Sequence, residues 1–297
     1  MKIIDAHIHA TSLDINSFEL ISSLDKAGVW GTCVFSADPE YTDGRLGADF
    51  DKRLDDVLNW TVSDRERLFP VMWIHPYEKN IHKNIKKAVD NGIVAFKMIC
   101  SNYYVYDKKS LKLLSAIAEM DKGVFFHSGI LWDGKVSSSY NRPLNWEALI
   151  KIKNLRFSMG HCSWPWYDEC IALYGKILNG LIRNEDSCEM FFDITPGTPR
   201  IYRRDLLTKL LTIGYDVPDN IFFGTDSITN NYNNGNWVTD WVDFDNKIYD
   251  ELNISERLKN KIYHDNIMRF LGFTPKNFTH RLPDIDNSNT WDINEER

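Results

Sequence analysis

The sequence has no long apolar run and no excess of positive charge. Hydrophobic residues make up 43% of its 297 residues, but no apolar run approaches the roughly 18 residues that a membrane-spanning helix needs. Lysine and arginine number 35 against 42 acidic residues, which gives a formal net charge of -7. The sequence therefore offers no basic surface for a nucleic-acid backbone. We expect neither nucleic acid nor a membrane as a partner.

Paired cysteines and a glycine-rich phosphate loop are also missing. The cysteines are odd in number and form no CxxC pair, which argues against a disulfide framework and a structural zinc knot. The first ten residues, MKIIDAHIHA, reach Asp5 and His7 before a signal-peptide core could form. We therefore expect a cytoplasmic protein with free thiols. The five cysteines are Cys33, Cys100, Cys162, Cys170 and Cys188.

Short apolar runs alternate with stretches of helical periodicity, a pattern typical of βα units around a parallel sheet. Eight parallel strands with helices between them fit an α/β fold of the (β/α)₈ (TIM) barrel type better than an open sheet, because no GxGxxG turn follows the first strand. The predicted strands are residues 2–8, 31–37, 68–74, 92–99, 123–129, 155–161, 189–195 and 220–226. The predicted helices are residues 17–27, 51–63, 81–91, 110–121, 146–153, 167–183, 205–213, 237–252 and 255–271.

The chain divides into one predicted domain and a tail. Residues 1–273 hold all the predicted strands and helices, and a barrel of about 250 residues fits within that length. Residues 274–297 are polar, contain Pro275 and Pro283, and lack periodicity. We expect this tail to lie on the surface or on a neighbouring subunit, so a homo-oligomer is left open.

Side chains suited to catalysis fall at the carboxyl ends of the predicted strands, where barrel enzymes place their active sites. A single histidine at a strand end is more often a hydrogen-bonded structural residue than a ligand, but the whole set at one rim indicates a metal site. The set comprises His7 and His9 on strand one, Lys97 on strand four, His127 on strand five, His161 on strand six and Asp226 on strand eight.

The alternation of strand one predicts which of its side chains face the barrel interior. A period of two places Asp5, His7 and His9 on one face, and turns Ile4, Ala6 and Ile8 toward the helices. The two histidines would then lie about 6 to 7 Å apart along the strand. Both imidazoles could converge on one cation.

The order of these residues resembles the amidohydrolase superfamily of metal-dependent hydrolases. The local sequences are most similar to its amidohydrolase-2 branch, which also contains nonoxidative decarboxylases and lactonases. The similar segments span residues 3 to 273, and their order and spacing carry the resemblance. They are IDAHIHA, AFKMI, VFFHSGI, the pair Arg142-Pro143, FSMGHCSWPW, IFFGTDS and IYHDNIMRFLGF.

The resemblance implies a set of metal ligands and two catalytic residues. His7, His9, His127 and Asp226 would bind a divalent metal, with zinc as the expected ion and one position open for water. Such a site lowers the pKa of water from 15.7 to about 7. Asp226 would also take a proton from the attacking water, and His161 would polarise the substrate carbonyl or bind a second metal. Asp5 is predicted to orient one of the histidines.

Lys97 decides between one metal and two. In two-metal members of the superfamily a lysine at this position is carboxylated and bridges the ions. We expect Lys97 to face the barrel, and we favour one ion and an unmodified lysine. Binding of a substrate carboxylate and a structural ion pair are the other roles left open for it.

The loops at the same rim supply candidates for substrate binding. Aromatic side chains suit a planar or apolar substrate body, and an arginine suits a carboxylate. Some of these residues could instead pack the loops or a subunit interface. The predicted substrate-binding residues are Tyr103, Trp132, Arg142 and Trp164, and Arg200, Tyr202 and Arg203 are further candidates in loop seven.

These predictions favour a hydrolase of an amide or lactone among small carbonyl compounds. The first alternative is a nonoxidative decarboxylase of a carboxylated aromatic acid with the same metal site. Arginines near the metal would favour the decarboxylase, because it must anchor its substrate's acid group. A barrel that only binds a metal or ligand is disfavoured, since every expected ligand and both proton-handling residues are present.

Overall fold

Parallel strands and helices alternate through the residues that the computed structural model describes, which are 1–10, 16–39, 49–183 and 187–274. Within these ranges the strands form one parallel sheet in the order β8-β7-β6-β5-β4-β3-β2-β1-β9. The strands are β1 (Ile4–His9), β2 (Gly31–Phe35), β3 (Leu68–Trp73), β4 (Ala95–Met98), β5 (Gly123–Phe126), β6 (Arg156–Met159), β7 (Glu189–Asp193), β8 (Ile221–Phe222) and β9 (Ser227–Ile228).

The sheet closes on itself through one stretch of chain. β8 pairs with β7, and β9, only a few residues later, pairs with β1. Between them, the Ala6 N–H donates to the Phe223 carbonyl at 3.0 Å and the Asp226 N–H donates to the His7 carbonyl at 2.9 Å. β8 therefore lies within the predicted eighth strand, residues 220–226, β9 follows directly after it, and the predicted TIM barrel is confirmed.

Helices cover the outside of the barrel. Side chains at their starts accept hydrogen bonds from free backbone N–H groups, as Asn16, Asp49 and Ser255 do. None of the described helices is long and apolar enough to cross a membrane. The helices are α1 (Ser17–Lys26), α2 (Phe50–Thr61), α3 (Ile81–Asp90), α4 (Lys108–Glu119), α5 (Tyr167–Arg183), α6 (Arg200–Thr212), α7 (Trp237–Glu251), α8 (Glu256–Asn260) and α9 (Asn266–Phe270).

Three connections differ from the predicted helices. After β5 a 3₁₀ helix, Pro143–Lys151, replaces the predicted α-helix 146–153. α6 begins at Arg200, five residues before the predicted start, because Pro199 can precede but not interrupt a helix. The predicted helix 255–271 is divided by a π-helical turn, Lys261–Asp265, between α8 and α9. All but the first residue of the predicted tail lie outside the described residues.

Two apolar cores result. One lies between the sheet and the helices and contains Trp60 and Trp146. The other fills the barrel interior with Phe35, Phe125 and Phe222. The five cysteines all lie in described ranges and are buried free thiols, as predicted.

A β-bulge in β1 breaks the predicted alternation. Asp5 pairs with Thr32 and Ile8 pairs with Val34, so two residues of β1, at positions 6 and 7, oppose one residue of β2. Ala6 therefore joins the interior core with Ile4, and the prediction that both face the helices is wrong.

The bulge also moves Asp5 away from the histidine rings. Its carboxylate accepts hydrogen bonds from the Thr225 N–H at 3.0 Å and the Tyr232 hydroxyl at 3.0 Å. It accepts from the backbone N–H of His7 as well, at 3.1 Å. Asp5 thus fixes the chain beside Asp226 and does not orient an imidazole, contrary to the prediction.

Candidate functional site

A cavity of about 390 Å³ opens at the carboxyl ends of the strands. The residues that line it come from β1, from β4 and its end, and from the segments after β5, β6, β7 and β8. The cavity brings together the six rim residues singled out in the sequence, which are His7, His9, Lys97, His127, His161 and Asp226. Their roles as ligands and catalytic groups stay predictions.

His7, His9 and Asp226 form a group that could hold a metal ion, because one potential ligand atom from each lies within 4.8 Å of the others. Asp226 Oδ1 lies 3.2 Å from His9 Nε2 and 3.6 Å from His7 Nε2. Asp226 has a φ of 59°, in the left-handed region that a non-glycine residue occupies only when its surroundings hold it there. The bond from its N–H to the His7 carbonyl, at 2.9 Å, supplies part of that constraint.

The carboxylate of Asp226 is ionised at this position. Burial opposes its negative charge, but the hydrogen bond to His9, with the imidazoles of His7 and His161 nearby, holds the pKa of this carboxyl well below its ordinary value. An ionised carboxylate beside two imidazoles is a donor set typical of zinc and similar divalent ions.

Asp193, at the end of β7, orients His7. Its Oδ2 lies 2.7 Å from His7 Nδ1, and both side chains are buried. Burial opposes ionisation of Asp193, but His7 and the hydroxyl of Thr195 hold the pKa of its carboxyl below the ordinary value. Burial, with Lys97 nearby, lowers the pKa of His7 to about 4. The neutral ring therefore donates its Nδ1–H to Asp193 and turns the Nε2 lone pair toward Asp226.

His127 lies in the cavity but outside this group. Its Nε2 lies 3.2 Å from the carbonyl oxygen of Ile130, so that nitrogen donates and the Nδ1 lone pair stays available. Burial, with His161 and Lys97 nearby, lowers the pKa of His127 well below its ordinary value. The structure thus collects three of the four predicted ligands and leaves the fourth as a neutral imidazole beside them.

His161 follows β6 in a strained turn. His161, Cys162 and Ser163 have φ values of 57°, 45° and 61°. Its Nδ1 lies 3.3 Å from the Thr195 carbonyl and therefore donates a hydrogen bond. A neutral ring would then offer its Nε2 lone pair, which suits a second metal, whereas an imidazolium would offer an Nε2–H, which suits a substrate carbonyl.

Lys97 lies at the base of the cavity. Its Nζ lies 3.3 Å from His7 Nε2, the same atom that a metal would use. Burial lowers the pKa of Lys97 to about 8, although Asp193 and Asp226 favour its charged form. The amine therefore loses its proton more easily than a surface lysine would, which suits either carboxylation or a hydrogen bond to substrate.

The predicted substrate-binding residues divide into two pairs. Trp132 and Trp164 line the cavity. Tyr103 is buried against His75, with ring centroids 4.8 Å apart, and does not reach the cavity. Arg142 forms an ion pair with Glu169 of α5 at 2.8 Å.

The arginines of predicted loop seven also have other partners. Arg203 lies on α6 and is buried in an ion pair with Asp245 at 2.8 Å. Arg200 lies over the ring of Trp241, 4.9 Å from its centroid. Among the described residues, no arginine lines the cavity.

The amino-acid sequence of the chain matches a known family along almost its whole length. The family model described as Amidohydrolase matches residues 4–273. The chain belongs to the amidohydrolase family, in its amidohydrolase-2 branch. No curated protein sequence matches this family member significantly.

Solved structures of low sequence identity share the fold of this amidohydrolase-family chain. A probable 2-pyrone-4,6-dicarboxylic acid hydrolase from Acinetobacter baumannii is 13% identical, with a TM-score of 0.60 over 92% of this chain and 100% of the other. A 2,6-dihydroxybenzoate decarboxylase from Rhizobium is 12% identical, with a TM-score of 0.60 over 92% of this chain and 99% of the other. The 4-oxalomesaconate hydratase from Rhodopseudomonas palustris is 14% identical, with a TM-score of 0.62 over 91% of this chain and 95% of the other.

These comparisons make the chain a member of a family of enzymes that generally depend on a metal. The group formed by His7, His9 and Asp226 could hold such an ion in this amidohydrolase-family member. Its structural neighbours include a probable hydrolase, a decarboxylase and a hydratase. Family membership therefore leaves the reaction to be argued from the site.

Proposed function

We propose that this protein is a metal-dependent hydrolase that cleaves a C–N or C–O bond of a small carbonyl compound, such as an amide or a lactone. The observation that carries the proposal is the convergence of His7, His9 and Asp226, whose potential ligand atoms lie within 4.8 Å of one another in the cavity. A cytoplasmic location accompanies this proposal and rests on the composition of the sequence.

The donor set fits a divalent cation, with zinc as the proposed ion. His7 and His9 offer imidazole nitrogens and Asp226 an ionised carboxylate, while Asp193 holds His7 in the tautomer that ligation needs. A divalent metal held there would lower the pKa of a nearby water toward neutrality. His127 would complete the set by presenting Nδ1 or by turning its ring.

The other side chains would handle protons and charge. Asp226 is partly exposed to the cavity, so its carboxylate can accept a proton from a water molecule and return it to a leaving group. His161 would stabilise negative charge on the carbonyl oxygen through Nε2–H. Lys97 would donate a hydrogen bond to substrate in the one-metal arrangement that we favour.

A decarboxylase is the second candidate, and the position of Lys97 in the cavity favours it. The buried amine is a cation that could anchor a substrate carboxylate. The hydrolase is preferred because the described part of the chain brings no arginine to the cavity to bind the acid and its neighbouring oxygen.

Metal analysis coupled to a substrate screen tests the proposal. The purified protein should hold about one divalent ion per chain and should hydrolyse members of a panel of amides and lactones. Asp226→Asn should abolish turnover, whereas the exposed control Asp168→Asn should not change it. A protein without bound metal, or an active Asp226→Asn variant, would contradict the mechanism.

Two other results would redirect the assignment. Release of carbon dioxide from hydroxybenzoate-like acids in the same screen would favour the decarboxylase. A metal ratio near two would give Lys97 and His161 a role in binding the second ion.

A further inference from the structure

Three aromatic side chains form a row, called here the aromatic shelf, that runs from the cavity to the protein surface. Trp132 and Trp164 both line the cavity, and their rings are nearly parallel, with centroids 6.1 Å apart and an interplanar angle of 12°. Tyr202 continues the row, with its centroid 6.1 Å from that of Trp164. The three residues come from the segment after β5, the turn after β6 and the start of α6.

The shelf leaves much of its apolar surface in contact with water. Trp132 is 76% exposed and Tyr202 is 44% exposed. A single exposed aromatic residue is ordinary, but rings from three segments that adjoin a cavity are typical of a ligand groove. The position therefore favours a ligand that also enters the cavity.

The backbone joins the two loops that carry the tryptophans. The Ile130 N–H donates to the Trp164 carbonyl at 2.9 Å, which joins the two loops directly. Gly129 has a φ of 91°, and a Cβ there would lie 2.3 Å from the same carbonyl oxygen. Because this backbone connection exists before a ligand arrives, a ligand would lose little binding free energy in ordering the loops that carry the tryptophans.

The surroundings of the shelf favour an uncharged ligand group. The nearby arginines have partners of their own, since Arg142 pairs with Glu169 and Arg203 with Asp245. Asp133, beside Trp132, lines the cavity with a negative charge. An acidic substituent over the shelf would therefore meet a carboxylate and no arginine from the described residues.

We propose that the substrate has two parts, a carbonyl group that reacts inside the cavity and an uncharged planar aromatic group that stacks on Trp132, Trp164 and Tyr202 outside it. This inference rests on the proposed function. It narrows the substrate class to aryl-bearing amides or lactones, and it disfavours compact polyanionic acids.

Binding of two uncharged amides tests the shelf directly. Isothermal titration calorimetry would measure the binding of naphthalene-2-carboxamide and of acetamide to the full-length protein. Each titration would use metal-loaded protein and, separately, protein treated with a chelator. Naphthalene-2-carboxamide should bind at least about tenfold more tightly than acetamide, because only the naphthyl ring can stack. Trp132→Ala should lower the affinity for naphthalene-2-carboxamide about tenfold, and Trp132→Phe should restore part of that affinity.

Phe18→Ala is the matched control, since Phe18 on α1 is also 76% exposed but lies outside the shelf. It should leave both affinities unchanged. Equal binding of naphthalene-2-carboxamide by Trp132→Ala and wild type would overturn the proposal. A dimer in sedimentation that Trp132→Ala converts to monomer would also overturn it, because the shelf would then be a contact between two copies.

The chelator separates this proposal from the function on which it rests. Stacking on the shelf does not need the metal, so the loss caused by Trp132→Ala should persist after chelation. If the protein proves to hold no metal, the hydrolase proposal fails while this measurement still reports on the shelf.

Discussion

At the scale of single residues, His7 is held through both ring nitrogens. Asp193 Oδ2 accepts a hydrogen bond from the Nδ1–H of His7. The Nε2 atom of His7 lies 3.3 Å from Lys97 Nζ and 3.6 Å from Asp226 Oδ1. The rule that located His7, His9, His127, His161 and Asp226 at strand ends applies equally to Asp193, which ends β7 within the predicted run 189–195. Its type and position were therefore visible in the sequence. Its pairing with a histidine 186 residues away was not.

Asp193→Asn should weaken metal binding without unfolding the protein. An amide cannot carry the charge that fixes the His7 tautomer, and loss of such a partner typically lowers metal affinity by about 10- to 100-fold. Zinc affinity measured by competition with a chromophoric chelator checks this. Asp168→Asn, at an exposed position on α5, is the control and should keep the wild-type affinity. Equal affinities in the two variants would remove Asp193 from the metal centre.

His75 is predicted to make stability sensitive to acid. It is buried, its Nδ1 accepts from the Tyr77 N–H at 3.2 Å, and its Nε2 donates to Asn102 Oδ1 at 3.1 Å. Burial lowers its pKa below the ordinary 6.5, despite the bond to Asn102. As the pH falls below 6.5, the unfolded chain takes up a proton that the folded chain resists, so the free energy of unfolding falls.

Urea unfolding in the presence of a chelator, at pH 7.5 and pH 5.5, measures this effect. Wild type should lose stability between the two pH values, and His75→Gln should lose less. The exposed His82→Gln on α3 should behave as wild type does. Identical losses in all three proteins would show that His75 has no part in the acid sensitivity.

At the scale of elements, the sequence predicted which segments form strands but not the details of their faces. Each predicted strand matches an observed one within a few residues, because runs of valine, isoleucine and phenylalanine bounded by polar turns leave little choice. The bulge in β1 was not predictable from alternation, since it depends on pairing with β2 and β9. For the same reason the sequence did not show that Arg142 pairs with Glu169 or that Tyr103 packs against His75, because loop direction depends on contacts distant in sequence.

Gly129 joins two of these elements, and Gly129→Ala should cost more stability than a left-handed φ alone explains. Gly129 and Gly134 both have positive φ, at 91° and 71°, but a Cβ at Gly134 meets nothing within 4 Å. We expect Gly134→Ala to lower the free energy of unfolding by about 1 kcal/mol. Gly129→Ala should cost at least about 2 kcal/mol more, because the Trp164 carbonyl must move.

Thermal or urea unfolding of both glycine variants checks this. The comparison is matched because both positions lie in the segment after β5 and carry the same substitution. If the two variants lose equal stability, the close approach of Gly129 to Trp164 does not constrain the loops.

At the scale of the whole molecule, α9, the last helix in the described part of the chain, closes the end of the barrel opposite the cavity. Phe270 of α9 packs in the barrel interior against Phe125, Phe191 and Phe222, with ring centroids 4.6, 5.2 and 5.4 Å away. A Cβ at Gly123 would lie 2.8 Å from the Phe270 ring. The first residue of β5 is thus a glycine where the ring needs the space. Residues more than 140 positions apart therefore depend on each other for packing.

Phe270→Ala should consequently lower the free energy of unfolding by about 3 to 5 kcal/mol, the usual cost of removing a buried aromatic ring. The loss should be felt by strands throughout the sheet, because the ring contacts β5, β7 and β8 together. Phe273→Ala is the matched control, since Phe273 lies three residues later, is 49% exposed and has one ring contact, with Phe69 at a centroid distance of 5.5 Å. Its cost should stay near or below about 1 kcal/mol.

Hydrogen exchange would distinguish a local effect from a global one. Faster exchange confined to α9 in Phe270→Ala would mean that the helix merely rests on a barrel that is stable without it, whereas faster exchange in β5, β7 and β8 would show that the barrel needs the ring.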